Sequence, residues 1–569
     1  MNMKKILKLT LAGALMLGMT SCEEEILPQT STVTSDQAAN APGSYDNFVS
    51  AITGSLCGQF TYDGKDNARP YDCGYPGFML IQDIMGNDTA EPYLNWFSNW
   101  YQGQYGGPSY VYAQVPWTYY YGWIKNCNTV ISLAGERPDK DKVVGAGIAY
   151  CMRALFYEDL ARMYAQKTYA QDKSSETVPL VTESTSLSDL AYNPRATNED
   201  MWAFIISDLD KAETYLKDYV RTDVYTPDLS VVYGLKARAY LVMEDWANAE
   251  KYAKLAQKGY DVMNDSEYTS REYGFNTPNG AWMFGCKYKS DDPNIIYNDA
   301  DSNWGSLRCL EIDPDGSGCG YASNYGQLFV IDRHLYESIP VTDFRKKCFV
   351  DYAIDDLDSE EAIDKALEAY SDYPSWVRRS GMDASEYGHV GGMSLKFRVV
   401  GGHEGHLNQY IGFCVAVPMM RVEEMKLIEI EARGMQNEAD GIKLLTDFAK
   451  TRDPQYVYGT HNEAYGNAST GAFRNEVWWQ RRVEFWGEGF STFDIKRLDK
   501  GIIRNYPGTS HPETARFNIG GYNTNGGNNH PDWMDLCIVQ TETNYNYKCT
   551  NNPTPISPES DSPEWDKAW

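Results

Sequence analysis

Between residues 232 and 256 the chain spells out two helices that have to lie against each other. Val232, Leu235, Ala239 and Val242 step by three, four and three residues, and Trp246, Ala249, Ala253 and Ala256 repeat those steps. Residues so spaced share one face of an α-helix. The join, Met243-Glu-Asp-Trp246, leaves room only for a tight reversal. Small alanines on the packed face let the two backbones approach closely. One such hairpin cannot bury its faces alone, so neighbours must stack on it.

The pattern resembles a tetratricopeptide-type helical hairpin, with Asp245-Trp-Ala-Asn-Ala249 near the start of its second helix. Other stretches carry the same period. Ile148, Met152, Leu155, Phe156 and Leu160 predict a helix over about 145–165. Trp202, Ile205, Leu209, Ala212 and Leu216 predict one over about 198–218, with Thr197 and Asp200 as its capping-box start. Helical spacing returns over about 419–452 (Met425, Ile428, Ala432, then Ile442, Leu445, Ala449) and over 474–489. Residues 262–415 are dominated by Gly, Pro, Asn, Asp and Tyr and read as long loops and short strands, with one acidic surface helix over 355–370. The expected fold is mainly α. A single body over 46–569 has a helical scaffold at 46–261 and 416–504, a loop-rich binding excursion at 262–415 and an irregular tail at 505–569. Loops on a rigid scaffold are where binding usually sits.

The first residues give an address. Lys4, Lys5 and Lys8 accompany an apolar run, Ile6 to Met19, that is short for a membrane span and reads as an export signal over 1–21. Thr20 and Ser21 lead into Cys22 and resemble a bacterial lipobox, which implies cleavage before Cys22 and lipidation of its thiol. Glu23, Glu24 and Glu25 resemble the surface-export signal of Bacteroidetes lipoproteins. Polar residues with scattered Pro, Thr and Ser make 22–45 a tether. No second apolar run approaches spanning length, so the mature protein is expected to hang from its lipid, anchored to the outer membrane and facing outward.

The formal charge is −28, and loss of the three signal lysines makes it more negative. That charge excludes nucleic acid as a partner, since its binding needs a basic face. Of twelve cysteines, lipidation of Cys22 leaves an odd number. The absence of any Cys-x-x-Cys pair argues against a structural zinc site. Cys57 with Cys73, and Cys309 with Cys319, are close enough in sequence to bridge. Cys127 and Cys151 lie in helix-like stretches, where a buried thiol is the ordinary reading.

Several further stretches, in order, share a resemblance. They are Trp117-Thr-Tyr-Tyr-Tyr-Gly-Trp-Ile-Lys-Asn-Cys-Asn-Thr-Val-Ile131, Ala149-Tyr-Cys-Met-Arg-Ala-Leu-Phe-Tyr157, Val178-Pro-Leu-Val181, Asp208-Leu-Asp-Lys-Ala212, Gly234-Leu-Lys-Ala-Arg-Ala-Tyr-Leu241, Arg421-Val-Glu-Glu-Met-Lys-Leu-Ile428, and Arg481-Arg-Val-Glu-Phe-Trp-Gly-Glu-Gly489 followed by Phe493-Asp-Ile-Lys-Arg497. With the lipobox before them, they resemble the SusD/RagB family of outer-membrane nutrient-binding lipoproteins. The resemblance implies four tetratricopeptide-like helix pairs in a right-handed scaffold plus an irregular binding half. It also implies a lid over a SusC-like TonB-dependent transporter, capturing oligosaccharides or, in some members, peptides. Trp486-Gly487 departs from the family pattern by its bulk, so packing there is expected to differ.

Aromatics make up 14% of the chain, and many fall in loops. The densest run is Tyr93-Leu-Asn-Trp96-Phe-Ser-Asn-Trp100-Tyr101, with Asp83, Asn87 and Asp88 just upstream. Trp282, Tyr288, Trp304, Tyr321 and Tyr325 decorate the central excursion, and Arg378 and Arg379 follow Trp376. A sugar ring has an apolar C–H face and a rim of hydroxyls; flat aromatics cover the face, and Asp, Asn and Arg satisfy the rim. The candidate ligand set is therefore Asp88, Trp96, Trp100, Tyr101, Trp282, Tyr288, Trp304, Tyr321, Tyr325 and Arg379, with affinity on the order of micromolar to millimolar. The competing reading is that these aromatics pin loops onto the body and that Arg378 and Arg379 make surface salt bridges.

Catalytic and metal motifs are weaker. Glu484 and Glu488 stand roughly 6 Å apart along one helix, a spacing that tempts a glycosidase reading. Arg481, Arg482, Asp494 and Arg497 lie close in sequence, so a structural ion network is expected instead. His403-Glu-Gly-His406 spaces its histidines by three rather than four, and the glycines around it argue against a helix and a zinc site. Asp313-Pro-Asp315-Gly-Ser317-Gly318 matches half a calcium loop, but position twelve is Asn324, and a Pro/Gly turn fits better. No cofactor is expected. The chain reads as a binding protein without covalent chemistry, with peptide capture, or a helical scaffold lacking a small ligand, as alternatives.

Overall fold

The computed structural model describes residues 41, 43–59, 69–296, 302–309, 322, 329–370, 391–519, 528–560 and 562–569. The chain divides at Asn47/Phe48, and residues from Phe48 to Trp569 form one unit. Of the residues before that point, only 41 and 43–47 are described, where the first helix begins.

The helices of eight residues or more are α1 (Ser44–Gly54), α2 (Tyr75–Ile84), α3 (Val111–Ala134), α4 (Val143–Tyr164), α5 (Asn198–Leu216), α6 (Leu229–Val242), α7 (Trp246–Ala256), α8 (Glu360–Leu367), α9 (Val422–Gln436), α10 (Glu438–Ala449), α11 (Gly471–Glu484) and α12 (Ser491–Leu498). From α3 to α7 each packs on the next, α9 continues the stack on α7, and α10 follows on α9. The fold is mainly α, built of tetratricopeptide-like hairpins. Thr197 caps α5 by accepting the Asp200 N–H at 3.1 Å, and Asp245 caps α7 by accepting that of Asn248 at 3.2 Å. The α6–α7 reversal takes Glu244 into the left-handed region at φ 56°. Ala249, Ala253 and Ala256 are fully buried against the partner helices. Tyr240 and Tyr252 stack across the hairpin with ring centroids 5.6 Å apart.

α2 and α3 have no clean period in the sequence. Every residue of α2 is buried, and α3 buries aromatics on several sides. A helix apolar all round shows no amphipathic stripe.

The strands are β1 (Thr89–Ala90), β2 (Glu176–Pro179), β3 (Arg195–Thr197), β4 (Trp282–Lys287), β5 (Val330–Ile331), β6 (Ala416–Arg421), β7 (Ile502–Ile503) and β8 (Asn518–Ile519). They pair as four two-stranded antiparallel sheets: β1–β5, β2–β3, β4–β6 and β7–β8. In the longest, Trp282 faces Arg421 and Lys287 faces Ala416, so the loop-rich segment is tied to the strand that runs directly into α9.

Buried ion pairs bind the stack together. Arg238 of α6 forks onto Glu424 of α9 at 2.5 and 2.8 Å. Lys236, two residues earlier and so on the other side of the helix, reaches Asp210 and Glu213 of α5. Several stretches that carry the family resemblance contribute these charges.

One sequence expectation is corrected here. Residues 402–407 form a short helix that includes His403-Glu-Gly-His406, entered through Gly401 at φ 84°. Cys57 and Cys73, whose spacing left a bridge undecided, are buried free thiols. Trp486 is accommodated inside, its indole N–H donating to the Asp88 carbonyl at 2.7 Å and its ring edge-on to Phe349 at 5.0 Å. Cys127 and Cys151 are buried free thiols, as expected from their helices.

Candidate functional site

The structure separates the candidate aromatics by burial. Trp282 and Trp304 are each only 1% exposed; Trp304 packs edge-on to Phe397 at 5.2 Å. Tyr288 is buried, its hydroxyl donating to the Cys73 carbonyl at 2.7 Å. Trp100 is buried between Tyr71 at 5.1 Å and Tyr112 at 4.3 Å. Tyr101 lies under the Arg504 guanidinium at 4.3 Å, with its hydroxyl bonded to His511. Asp88 is buried and accepts a fork from Arg482, the shortest contact 2.6 Å. These six are interior residues with no face open to a ligand, and the reading of them as contacts is corrected to a structural one. Tyr321, Tyr325 and Arg379 lie outside the described residues, as do Asp313-Pro-Asp315-Gly-Ser317-Gly318, Cys319 and Cys22.

Trp96 is different: it is 48% exposed. It stands on a turn that the chain braces from below. Asn95 Oδ1 accepts the Phe97 N–H at 2.8 Å. The Ser98 hydroxyl sits between the Asn95 carbonyl at 2.6 Å and Glu91 Oε2 at 3.2 Å. Burial pushes the Glu91 carboxyl up to about 8, against the pull of the Ser98 hydroxyl that donates to it and of Arg504. Beneath the turn, Phe97 is fully buried and packs on Tyr71 at 6.3 Å and Phe329 at 5.7 Å. The Arg69 guanidinium lies 4.7 Å from the Trp96 ring centroid, a cation–π contact.

A strip of polar aromatics adjoins this turn. Asn99 donates to the Tyr112 hydroxyl, and buried Trp100 supports the Tyr112 ring from below. Tyr105 and Tyr110 are 50% and 45% exposed, with ring centroids 5.2 Å apart. Tyr105 adopts φ 53° in a glycine-rich turn. The turn is close-fitted: a Cβ on Gly103 would run into Trp533 at 2.6 Å. Rings on a braced base lose little entropy when a ligand lies on them, and Asn99, Arg69 and the tyrosine hydroxyls offer donors and acceptors beside them. The arrangement suits a ligand with flat apolar faces and a hydroxylated rim. Sequence reasoning named Trp96 but missed Arg69, Asn99, Tyr105, Tyr110 and Tyr112. The visible signal was Gly103-Gln-Tyr105-Gly-Gly107, a tyrosine set among glycines just before a helix.

The carboxylate pair is a buried knot. Glu484 accepts from Arg345 at 3.2 Å, Arg421 at 3.3 Å and Arg452 at 3.1 Å. Glu488 accepts from Lys396 at 2.6 Å and Arg421 at 2.8 Å. Burial alone would raise the Glu484 carboxyl, but Arg452, Arg421 and Arg345 hold it well below the usual carboxylate range. An ion network was expected, but its partners differ. Arg481 pairs with Asp494 at 2.6 Å, Arg482 with Asp88 and Glu463, and Arg497 with Glu431 and Asp494. Among the described residues, no group of three or more His, Cys, Asp or Glu is placed to hold a metal ion, and no helix is long and apolar enough to cross a membrane.

Residues 79–241 match the model of a SusD-like family described as starch-binding and associating with the outer membrane. No curated protein matches the chain. Among solved structures, a SusD-like carbohydrate-binding protein from Bacteroides vulgatus is 21% identical, with a TM-score of 0.64 over 92% of this chain and 98% of that one. A SusD superfamily protein from Bacteroides thetaiotaomicron is 17% identical, with a TM-score of 0.64 over 90% of this chain and 99% of that one. Surface glycan-binding protein A from the same species, solved with laminarihexaose, is 16% identical, with a TM-score of 0.61 over 90% and 99%. The helical fold is thus shared with SusD-like structures along nearly the whole chain, and residues 79–241 match the SusD-like family model.

Proposed function

We propose that this protein is a cell-surface glycan-binding lipoprotein that captures oligosaccharides and passes them to a SusC-like TonB-dependent transporter in the outer membrane. The observation that carries the reading is the exposed Trp96, with Arg69 against its ring and a buried aromatic base beneath it. Asn99, Tyr105, Tyr110 and Tyr112 extend the surface for a chain of sugar rings. The laminarihexaose complex of a relative with the same fold supports the ligand class. The lipobox at Cys22 and the acidic residues after it support anchoring by lipid on the outer face. Glu484 and Glu488 are fully committed to buried cations, so the reading is of binding without covalent chemistry and without a cofactor.

Calorimetry of wild type and Trp96→Ala against neutral oligosaccharides and peptides tests it. Saturable heat from a glycan that Trp96→Ala weakens at least about tenfold supports capture by this surface. Heat from peptides alone replaces the ligand class with peptide. A pull-down of the anchored protein that brings no outer-membrane β-barrel removes the transporter from the proposal.

A further inference from the structure

The segment 562–569 crosses the β7–β8 pair as a strap. Asn505 Nδ2 donates to the Ser562 carbonyl at 2.6 Å, Asn518 Nδ2 to the Pro563 carbonyl at 2.9 Å, and the Trp565 backbone N–H to the Asn505 carbonyl at 2.8 Å. Beside these anchors lies a cavity of about 550 Å³, lined by Tyr465, Ile502, Asn518, Trp565 and Lys567 among others. That volume falls in the range of small-molecule sites, roughly 300–1,000 Å³.

Two features give the cavity chemistry. The Trp565 indole N–H is buried with no acceptor among the described residues. A buried indole N–H usually finds a partner, so this donor is left for something that enters. The lining also carries both signs of charge. Lys567 Nζ stands 5.7 Å from the Trp565 ring centroid, and Glu564 and Asp566 are exposed on the same strap. An anion would meet the two carboxylates, and a cation would meet the ammonium. A neutral hydroxylated ligand satisfies both, giving hydrogens to the carboxylates and accepting from Lys567 and the indole. The Trp565 ring, the half-buried Ile519 and the exposed Pro563 supply apolar surface for its C–H faces.

We propose that this cavity is a second binding site, separate from the Trp96 surface, for a short neutral sugar segment, with Trp565 as its anchor. The proposal rests on the glycan reading above for its ligand class but on different residues. A protein with two such sites holds one polymer at two points or two shorter ones at once, raising avidity without new contacts at either site.

The test is calorimetry of the mature chain with laminarihexaose, maltohexaose and mannohexaose, comparing wild type, Trp96→Ala, Trp565→Ala and Trp565→Phe. Melting curves come first; if Trp565→Ala loosens the strap, Trp565→Phe, which keeps a ring and removes the N–H, replaces it. The expected result is saturable binding remaining in Trp96→Ala, lost when Trp565→Ala is added, and weakened about tenfold by Trp565→Phe. If Trp96→Ala abolishes binding and both Trp565 variants match wild type in stoichiometry and affinity, the cavity proposal falls and the Trp96 reading stands. If Trp565→Ala abolishes binding and Trp96→Ala changes nothing, the reverse holds. Silence from all three sugars with every protein overturns both.

Discussion

Arg153 and Asp208 form a buried fork, Nε to Oδ2 at 2.7 Å and Nη2 to Oδ1 at 2.9 Å, with both side chains closed to solvent. The same guanidinium donates to Asn128 Oδ1 at 2.7 Å. One side chain therefore ties α4 to α5 and to α3. Removing one partner of such a pair strands a charge in the interior. Arg153→Ala is expected to cost about 3–5 kcal/mol. The double change Arg153→Met with Asp208→Leu should cost clearly less, because no fully buried charge is left behind; the remaining Arg153 partner, Glu183, is partly exposed to solvent. Urea denaturation of both variants checks this.

Trp96 and Trp100 lie four residues apart, yet one is exposed and the other buried. Trp100→Ala opens a cavity among Tyr71, Phe97 and Tyr112 and should destabilise by about 3–5 kcal/mol. Trp96→Ala should change stability by about 0.5 kcal/mol or less while weakening ligand. Thermal melts paired with titrations separate the two effects.

α9 and α10 meet where Gly434 and Gly441 pass each other. A Cβ on Gly441 would overlap the Gly434 backbone and approach the Phe473 ring at 2.7 Å. Backbone cannot rotate aside as a flexible side chain can. Gly441→Ala should therefore cost about 1–3 kcal/mol or more. A control, Gly122→Ala, meets nothing within 4 Å and should be neutral or slightly stabilising in its helix. Chemical denaturation of the pair provides the comparison.

Glu91 makes stability depend on pH. Its folded pKa is raised by burial from 4.5 to about 8. Below the unfolded value both states hold the proton and there is no penalty. As pH rises toward 8 the unfolded chain releases a proton that the folded protein keeps, so stability falls across that window and then levels off. Each pKa unit is worth about 1.4 kcal/mol. Glu91→Gln cannot ionise, so its stability relative to wild type should climb between about pH 4.5 and pH 8. A flat difference across that range would show that Glu91 is already ionised in the folded state. Asp83 and Glu158, both raised to about 7 by burial, act in the same direction in both proteins and cancel in the comparison.

Much of the helical scaffold was legible because its signals are local. The steps from Val232 to Ala256, the cap at Thr197 and the alanines of α7 act within one or two turns of helix, where spacing alone decides who touches whom. The ordered stretches containing Arg153, Asp208, Arg238 and Glu424 could be recognised, although their pairing could not be read. Exposure was not legible. Trp96, Trp100 and Tyr101 belong to one aromatic run, and only distant segments decide among them: Tyr71 and Tyr112 cover Trp100, and His511 and Arg504 enclose Tyr101. The partners of Glu484 come from equally far away, at Arg345, Arg421 and Arg452. By itself the sequence determined a helical repeat scaffold and a resemblance to one family. Only tertiary structure decided which rings hold the protein together and which stand in solvent, because burial is set by residues far along the chain that no local period encodes.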